Sequence, residues 1–152
     1  MVFVGDGNNV ARSLAIACGK IGVRFILSAP PSYRFDAAFL ETYQTHVRGQ
    51  LEEIEDPQKA VAEADVIYTD VWASMGQEAE ASERSKHFEA YQVNAALLKA
   101  APERAKVMHC LPAHRGEEIT DEVLDGPQSV AFPQAGNRMH AQKALLLWAM
   151  DA

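Results

Sequence analysis

The sequence predicts a doubly wound α/β fold, a mostly parallel, Rossmann-like sheet with helices on both faces. Three observations predict it. Six short strand-like runs alternate with helix-patterned stretches, and parallel strands joined by helical crossovers are what such alternation builds. The chain has 152 residues, of which 48% are apolar and 23% charged, enough for one domain with a core of its own. Polar, unusual segments follow the strands, where open α/β sheets bind their ligands.

The elements follow in order. "MVFVGD" reads as a short buried strand. "NNVARSLAIACGKIG" places Val10, Leu14, Ala17, Cys18 and Ile21 at helical spacing. "VRFILSAPP" is a strand stopped by two prolines, and "RFDAAFLETYQTHV" is a helix with Phe35, Phe39 and Tyr43 on one side. "QLEEIED" suits an edge strand. Pro57 then opens the helix "PQKAVAEA", since proline fits a first helical turn. "ADVIYTDVW" is rich in β-branched and aromatic residues and reads as a strand. A polar, flexible stretch is expected over "ASMGQEAEASERSKH", and a helix over "FEAYQVNAALLKAAP", with Pro102 beyond its end. "AKVMHCLP" gives a fifth strand, halted by Pro112. "TDEVLDGP" gives a short helix with acids in its first turn, "QSVAFPQAG" a sixth strand, and "NRMHAQKALLLWAMDA" the closing helix. Five segments, "GDGNN", "SAPPSYR", "DVWASMGQE", "HCLPAHRGEE" and "PQAGNR", should converge on one rim of the sheet.

Composition narrows the function. The net charge is −7, from 14 basic and 21 acidic side chains, and the basic residues are scattered, which argues against a nucleic-acid surface. No apolar run is long enough to cross a bilayer, and the N-terminus lacks the pattern of a secretory signal. Cys18 and Cys110 form no C-x-x-C pair, so a disulfide framework is not expected and a reducing cytoplasm is.

Four polar segments carry candidate chemistry. In "VGDGNN", Gly5 and Gly7 resemble the start of a dinucleotide fingerprint. The third glycine position holds Val10, and the second strand ends in Ser28-Ala29-Pro30 rather than an acid, so an NAD site fails two requirements. Asn8 or Asn9 can cap the following helix, while helix-end amides plus an Asn side chain can hold a carboxylate. Asp70 ends an otherwise apolar strand and is either solvated, capping the next turn, or reserved for a cation, with Ser74, Met75 and Gly76 as a turn beyond it. In "HCLPAHRGEE", His109 and Cys110 are neighbours on a strand and face opposite sides, which disfavours a shared zinc ion and a Cys–His nucleophile alike. Cys110 could equally be a small buried apolar residue. Arg138, in "GNRMHAQ", is expected at a helix start, where an anion would offset its unfavourable position.

The last helix poses a separate problem. "ALLLWAM", from Ala144 to Met150, is apolar on every side, whereas a surface helix should show a polar face. It needs burial in the domain's own core or against a partner.

Together "VGDGNNVARSL", "DVWASMGQE", "YQVN", "HCLPAHRGEE" and "NRMHAQKAL" resemble the ornithine carbamoyltransferase family, in the family's order and over Val2 to about Trp148. The resemblance is to the second half of that family. The S-T-R-T and H-P-x-Q motifs of its carbamoyl-phosphate-binding domain do not occur here. It implies that residues 1–152 are an ornithine-binding domain, with the carbamoyl-phosphate-binding domain absent from this chain and little or no activity for the chain by itself.

By that resemblance, Asn9 holds the ornithine α-carboxylate, and Asp70 and Ser74 hold the α-amino group with the Met75 backbone nearby. Cys110 lies beside the reacting δ-amine, Leu111 offers its carbonyl to the carbamoyl group, and Arg138 reaches carbamoyl phosphate. The implied reaction is attack of the neutral δ-amine on the carbamoyl carbon, giving citrulline and phosphate in arginine biosynthesis or catabolism. Neither a metal nor an organic cofactor takes part, and Cys110 orients the amine without becoming a covalent nucleophile. The family usually has A-E-N-R where this chain has Ala135-Gly136-Asn137-Arg138, which removes an acid and loosens the backbone beside Arg138. The family also explains "ALLLWAM", because its C-terminal helix packs on the other domain; alone, the chain is expected to cover it by forming a homo-oligomer or by folding the helix back. A non-catalytic amino-acid-binding module and a transcarbamoylase acting on putrescine or an acylated ornithine are the alternatives. The D-x-x-x-S-M-G pattern favours free ornithine.

Overall fold

In the structure, a computed structural model that describes residues 1–73 and 81–150, five parallel strands form one sheet. The strands are β1 (Val2–Val4), β2 (Phe25–Ser28), β3 (Leu51–Glu53), β4 (Val66–Thr69) and β5 (Lys106–His109). Their order across the sheet is β3-β2-β1-β4-β5. β1 therefore lies beside β4 although more than sixty residues separate them, with Val2 opposite Ile67 and Val4 opposite Thr69.

Each face of the sheet has its own apolar layer. On one face, α1 (Asn9–Lys20) and α2 (Ala37–His46) cover Phe3, Phe25, Leu27 and Tyr68 with Ala11, Ala15, Phe39 and Tyr43. Phe35, Phe39 and Tyr43 do line one side, as their spacing required. On the other face, α3 (Pro57–Val61), α5 (Ala95–Ala100) and α6 (Asp121–Leu124) cover Val2, Val4, Ile67 and Val107. Side-chain caps set several helix starts. Asn8, Asp36, Asp56 and Asn94 each accept from backbone N–H groups that a first turn leaves unpaired.

Four expectations are corrected. The "QSVAFPQAG" segment is not a sixth strand. Ser129 makes one isolated bridge to Val107, and α7 then runs from Ala131 to Met150. Pro133 is compatible with this because it occupies the first turn, where its missing N–H has no intrahelical partner to serve. Arg138 therefore sits in the middle of α7 rather than at its start, and the helix-dipole argument for an anion there does not hold. Part of the stretch expected to be flexible is helical, as α4 (Ala81–Phe88). The helix expected over "FEAYQVNAALLKAAP" is interrupted: a 3-10 turn, Glu89–Tyr91, precedes α5, which begins where Asn94 caps Leu97.

α7 packs through its first turns, where Ala131 is buried and Gln134 reaches β5. Beyond that it is bare. Leu145, Leu146, Leu147, Trp148 and Met150 are between 61% and 80% exposed. No helix among the described residues is long and apolar enough to cross a membrane.

Candidate functional site

The strand order reverses direction between β1 and β4, and a crevice opens there at the carboxyl ends of the strands. Two polar turns face each other across it. The first follows β1. Gly5 has φ +142°, a backbone conformation that favours glycine, and its N–H donates to the Ser28 carbonyl. Gly7 approaches the chain after β2 so closely that a Cβ would stand 3.0 Å from the Tyr33 carbonyl oxygen. These glycines serve a tight turn rather than a pyrophosphate. Asn8 then caps α1, its Oδ1 accepting from Val10 N and Ala11 N at 2.9 and 3.1 Å. Asn9, the first residue of α1, is exposed.

The second turn follows β4 and contains Asp70. This carboxylate is only 8% exposed. It accepts from Asn8 Nδ2 at 3.3 Å, from Val71 N at 2.8 Å and from the Cys110 thiol at 2.8 Å. All three donors are neutral. A buried carboxylate held by neutral donors retains the ability to pair with a cation, which a small ammonium ligand would supply. Ser74 and Met75, the neighbours expected to complete this contact, lie outside the described residues.

The third turn follows β5 and is built around a buried pair. His109 and Glu118 are both fully buried, with His109 Nε2 3.0 Å from Glu118 Oε1. The His109 Nδ1 accepts the Leu111 N–H at 2.8 Å, so the proton is assigned to Nε2 and points at Glu118. Glu118 Oε1 also accepts the His114 N–H at 2.7 Å, which closes the loop on itself. Leu111 is held at φ +56°, a conformation that costs a branched residue about 1–3 kcal/mol unless its surroundings enforce it. The His109 ring enforces it here.

Cys110 faces the opposite way from His109, as strand alternation requires. It is not a buried apolar filler. It is half-buried, lines the cleft and donates to Asp70. Burial, then the hydrogen bond to Asp70 and its negative charge, push the thiol pKa up to about 12. Cys110 thus stays protonated at neutral pH, which excludes a resting thiolate nucleophile.

Cys110 and Leu111 share a cavity of about 680 Å³ with Ala135, Arg138, Met139, Gln142, Lys143 and Leu146 of α7. The structure therefore joins Cys110, Leu111 and Arg138 in one cleft and ties Asp70 to it through the thiol. Asn9 is not among the residues lining that cavity. A metal reading gains little. His114, Glu117 and Glu118 bring ligand atoms within 4.8 Å of one another, but His114 and Glu117 are exposed and Glu118 already accepts two hydrogen bonds.

Sequence reasoning missed four side chains. Arg84 of α4 is buried and pairs with Asp6 of the first turn, while its Nε donates to the Trp72 carbonyl. Its guanidinium stacks 4.8 Å from the Tyr33 ring centre and 5.6 Å from that of Phe88. This arginine bridges the turns after β1 and β4. Burial raises the Asp6 pKa, and the Arg84 hydrogen bond opposes the rise. Tyr68 and Gln134 stand behind Cys110, with Gln134 Nε2 donating to the Tyr68 hydroxyl at 3.1 Å. Nothing in the local pattern marked them, because their partners come from distant elements.

Comparison with known proteins identifies the family and the fold. A family model described as aspartate/ornithine carbamoyltransferase, Asp/Orn binding domain, matches residues 1–149. The chain is 54% identical to the anabolic ornithine carbamoyltransferase of Pyrococcus furiosus over 153 residues, covering 99% of this chain and 49% of that protein. It is 48% identical to the ornithine carbamoyltransferase of Chlorobaculum tepidum, covering 99% of this chain and 45% of the relative. Among solved structures, the Pyrococcus furiosus enzyme matches with a TM-score of 0.87 at 55% identity, over 95% of this chain and 47% of that one. The anabolic enzyme of Campylobacter jejuni subsp. jejuni matches with a TM-score of 0.90 at 30% identity, over 99% and 50%. The chain thus spans about half the length of the relatives it matches.

Proposed function

The chain belongs to the aspartate/ornithine carbamoyltransferase family, and from that premise we propose that it is the ornithine-binding half of an ornithine carbamoyltransferase. The observation that carries this reading is Asp70. It is a buried carboxylate at the crevice of the sheet, with only neutral donors around it among the described residues and the Cys110 thiol turned toward it. It is suited to the α-ammonium of a free amino acid, and an acylated amine would forfeit that charge pairing. Putrescine would bring an ammonium but no carboxylate for Asn9.

In this reading Asn9, at the start of α1, takes the α-carboxylate, aided by the positive end of the helix dipole. Asp70 and Ser74 take the α-ammonium, beside the Met75 backbone. The side chain of ornithine then runs toward Cys110, whose protonated thiol orients the δ-amine. The neutral amine attacks the carbamoyl carbon, the C–O bond to phosphate breaks, the amine's surplus proton passes to the departing phosphate, and citrulline and phosphate leave. Leu111 steadies the carbamoyl group through its carbonyl, and Arg138 offsets negative charge on the phosphate side. Positioning supplies much of the rate, since two substrates must meet in one cleft.

The carbamoyl-phosphate-binding domain is the first partner, and residues 1–152 have little or no turnover without it. The exposed apolar end of α7 is the surface that needs cover, and in the isolated chain a second copy supplies it. The cytoplasm is the proposed compartment, supported by two cysteines that are both free. The test is to mix this chain with a separately produced carbamoyl-phosphate-binding domain and assay citrulline. Restored synthesis that Asp70→Ala abolishes supports the reading. Calorimetric titration with ornithine that gives no heat in either the single chain or the mixture refutes it.

A further inference from the structure

Cys110 has named neighbours on every side. Asp70 stands before it, Tyr68 of β4 and its partner Gln134 behind it, and Arg138 and Lys143 of α7 across the cleft. Tyr68 pairs opposite Met108 in the β4–β5 register, so Cys110 lies two residues on, on the same face and within diagonal reach. Tyr68 and Cys110 pack in one cluster, and the Tyr68 hydroxyl favours the Cys110 thiolate as a hydrogen-bond donor would. Gln134 fixes the hydroxyl's direction. Its Oε1 accepts the His109 N–H at 3.1 Å, which assigns Nε2 as the atom 3.1 Å from the Tyr68 oxygen. An amide nitrogen only donates. The Tyr68 oxygen must therefore accept from Gln134, and its single proton is left for the sulfur. The single proton of Cys110 is then left for Asp70. The donors run one way along the chain, from the His109 amide through Gln134, Tyr68 and Cys110 to Asp70.

We infer that Tyr68 and Gln134 are positioning residues for Cys110, occupying the sulfur from behind so that its S–H is aimed into the cleft at Asp70. This rests on the reading of Cys110 as the residue beside the reacting amine. Tyr68 and Gln134 act through Cys110, without touching substrate. A sulfur free to turn would present a lone pair or its proton at random to the incoming amine. A sulfur held by Tyr68 presents one arrangement, which is the preorganisation a positioned amine needs.

The test reads the thiol itself and needs no second domain. Alkylation of Cys110 by iodoacetamide at pH 9 is followed by mass spectrometry in the full chain, as a ratio to Cys18, which is 5% exposed. A hydrogen bond to a thiolate favours it, so Tyr68→Phe should slow Cys110 alkylation by at least about threefold. Gln134→Glu should slow it as well, because a carboxylate accepts the Tyr68 proton and turns it away from the sulfur. Asp70→Asn should speed it, because the negative acceptor that disfavours the thiolate is gone. General loosening speeds both cysteines and cannot imitate the slowing. Rates in Tyr68→Phe and Gln134→Glu that stay within twofold of the parent, or rise, overturn the inference, as does an Asp70→Asn chain that reacts no faster. Ornithine protection of Cys110 in the parent is a separate arm. Its absence counts against the ornithine reading and leaves the Tyr68 result standing.

Discussion

Removing the carboxylate of Glu118 is the sharpest perturbation of the strand end that presents Cys110 and Leu111. Glu118 and His109 are fully buried, and one oxygen of Glu118 accepts from both His109 Nε2 and the His114 amide. Glu118→Ala strands both donors in an apolar setting, at about 1–3 kcal/mol each. Part of the side-chain volume is left as a cavity besides. The sum is about 3–5 kcal/mol, the range found when one partner of a buried pair is deleted. Glu118→Gln is the control. Its amide oxygen keeps both hydrogen bonds, and its nitrogen replaces the oxygen that has no partner among the described residues, so it should cost about 1 kcal/mol. Urea unfolding followed by tryptophan fluorescence measures both. With a slope of about 2 kcal/mol per molar, Glu118→Ala lowers the midpoint by about 2 M and Glu118→Gln by about 0.5 M. Because His109 holds Leu111 in its left-handed conformation, Glu118→Ala should also release the turn and speed alkylation of Cys110. A cost below about 1 kcal/mol for Glu118→Ala, or equal costs for the two variants, would refute the view that these hydrogen bonds hold the turn.

Asp70→Ala should weaken ornithine binding by about 10- to 100-fold in the mixed two-domain assay, the loss of one charge-assisted contact, read by calorimetry. The Asp6 pKa is raised by burial, so the folded state binds its proton more tightly than the unfolded chain and stability falls as pH rises from its ordinary value of 3.8 through the raised one. Arg84→Met removes the opposing hydrogen bond; thermal melts across that window should show a steeper fall than in the parent, and an unchanged slope would remove Arg84 from the account. Gly136 lies inside α7 with nothing within 4 Å of a Cβ, so Gly136→Ala should raise stability by about 0.5–1 kcal/mol in urea unfolding. Leu145→Lys with Trp148→Lys should turn an associated chain into a monomer by sedimentation; a parent chain already monomeric with α7 helical would end the self-association proposal.

The fold class and most of the elements are legible in the sequence because their signals are local. A strand announces itself by a run of β-branched and aromatic residues, and a helix by apolar spacing and a cap within three residues of its start, as Asn8, Asp36, Asp56 and Asn94 do. Motif resemblance added the family and proposed Asn9, Asp70, Ser74, Met75, Cys110, Leu111 and Arg138 as site residues. The local signal failed where proline had two meanings. Pro133 was compatible with a strand end and with a first helical turn, and packing of Ala131 and Gln134 against the sheet decided for the helix. Only the tertiary structure joined Cys110 to Asp70 across 40 residues, Asn8 to Asp70 across 62, Gln134 to Tyr68 across 66 and Arg84 to Asp6 across 78. Those partners are chosen by the strand order β3-β2-β1-β4-β5, which sets the ends of β1, β4 and β5 side by side. The Cys110–Asp70 contact follows from that adjacency, which no stretch of neighbouring residues encodes.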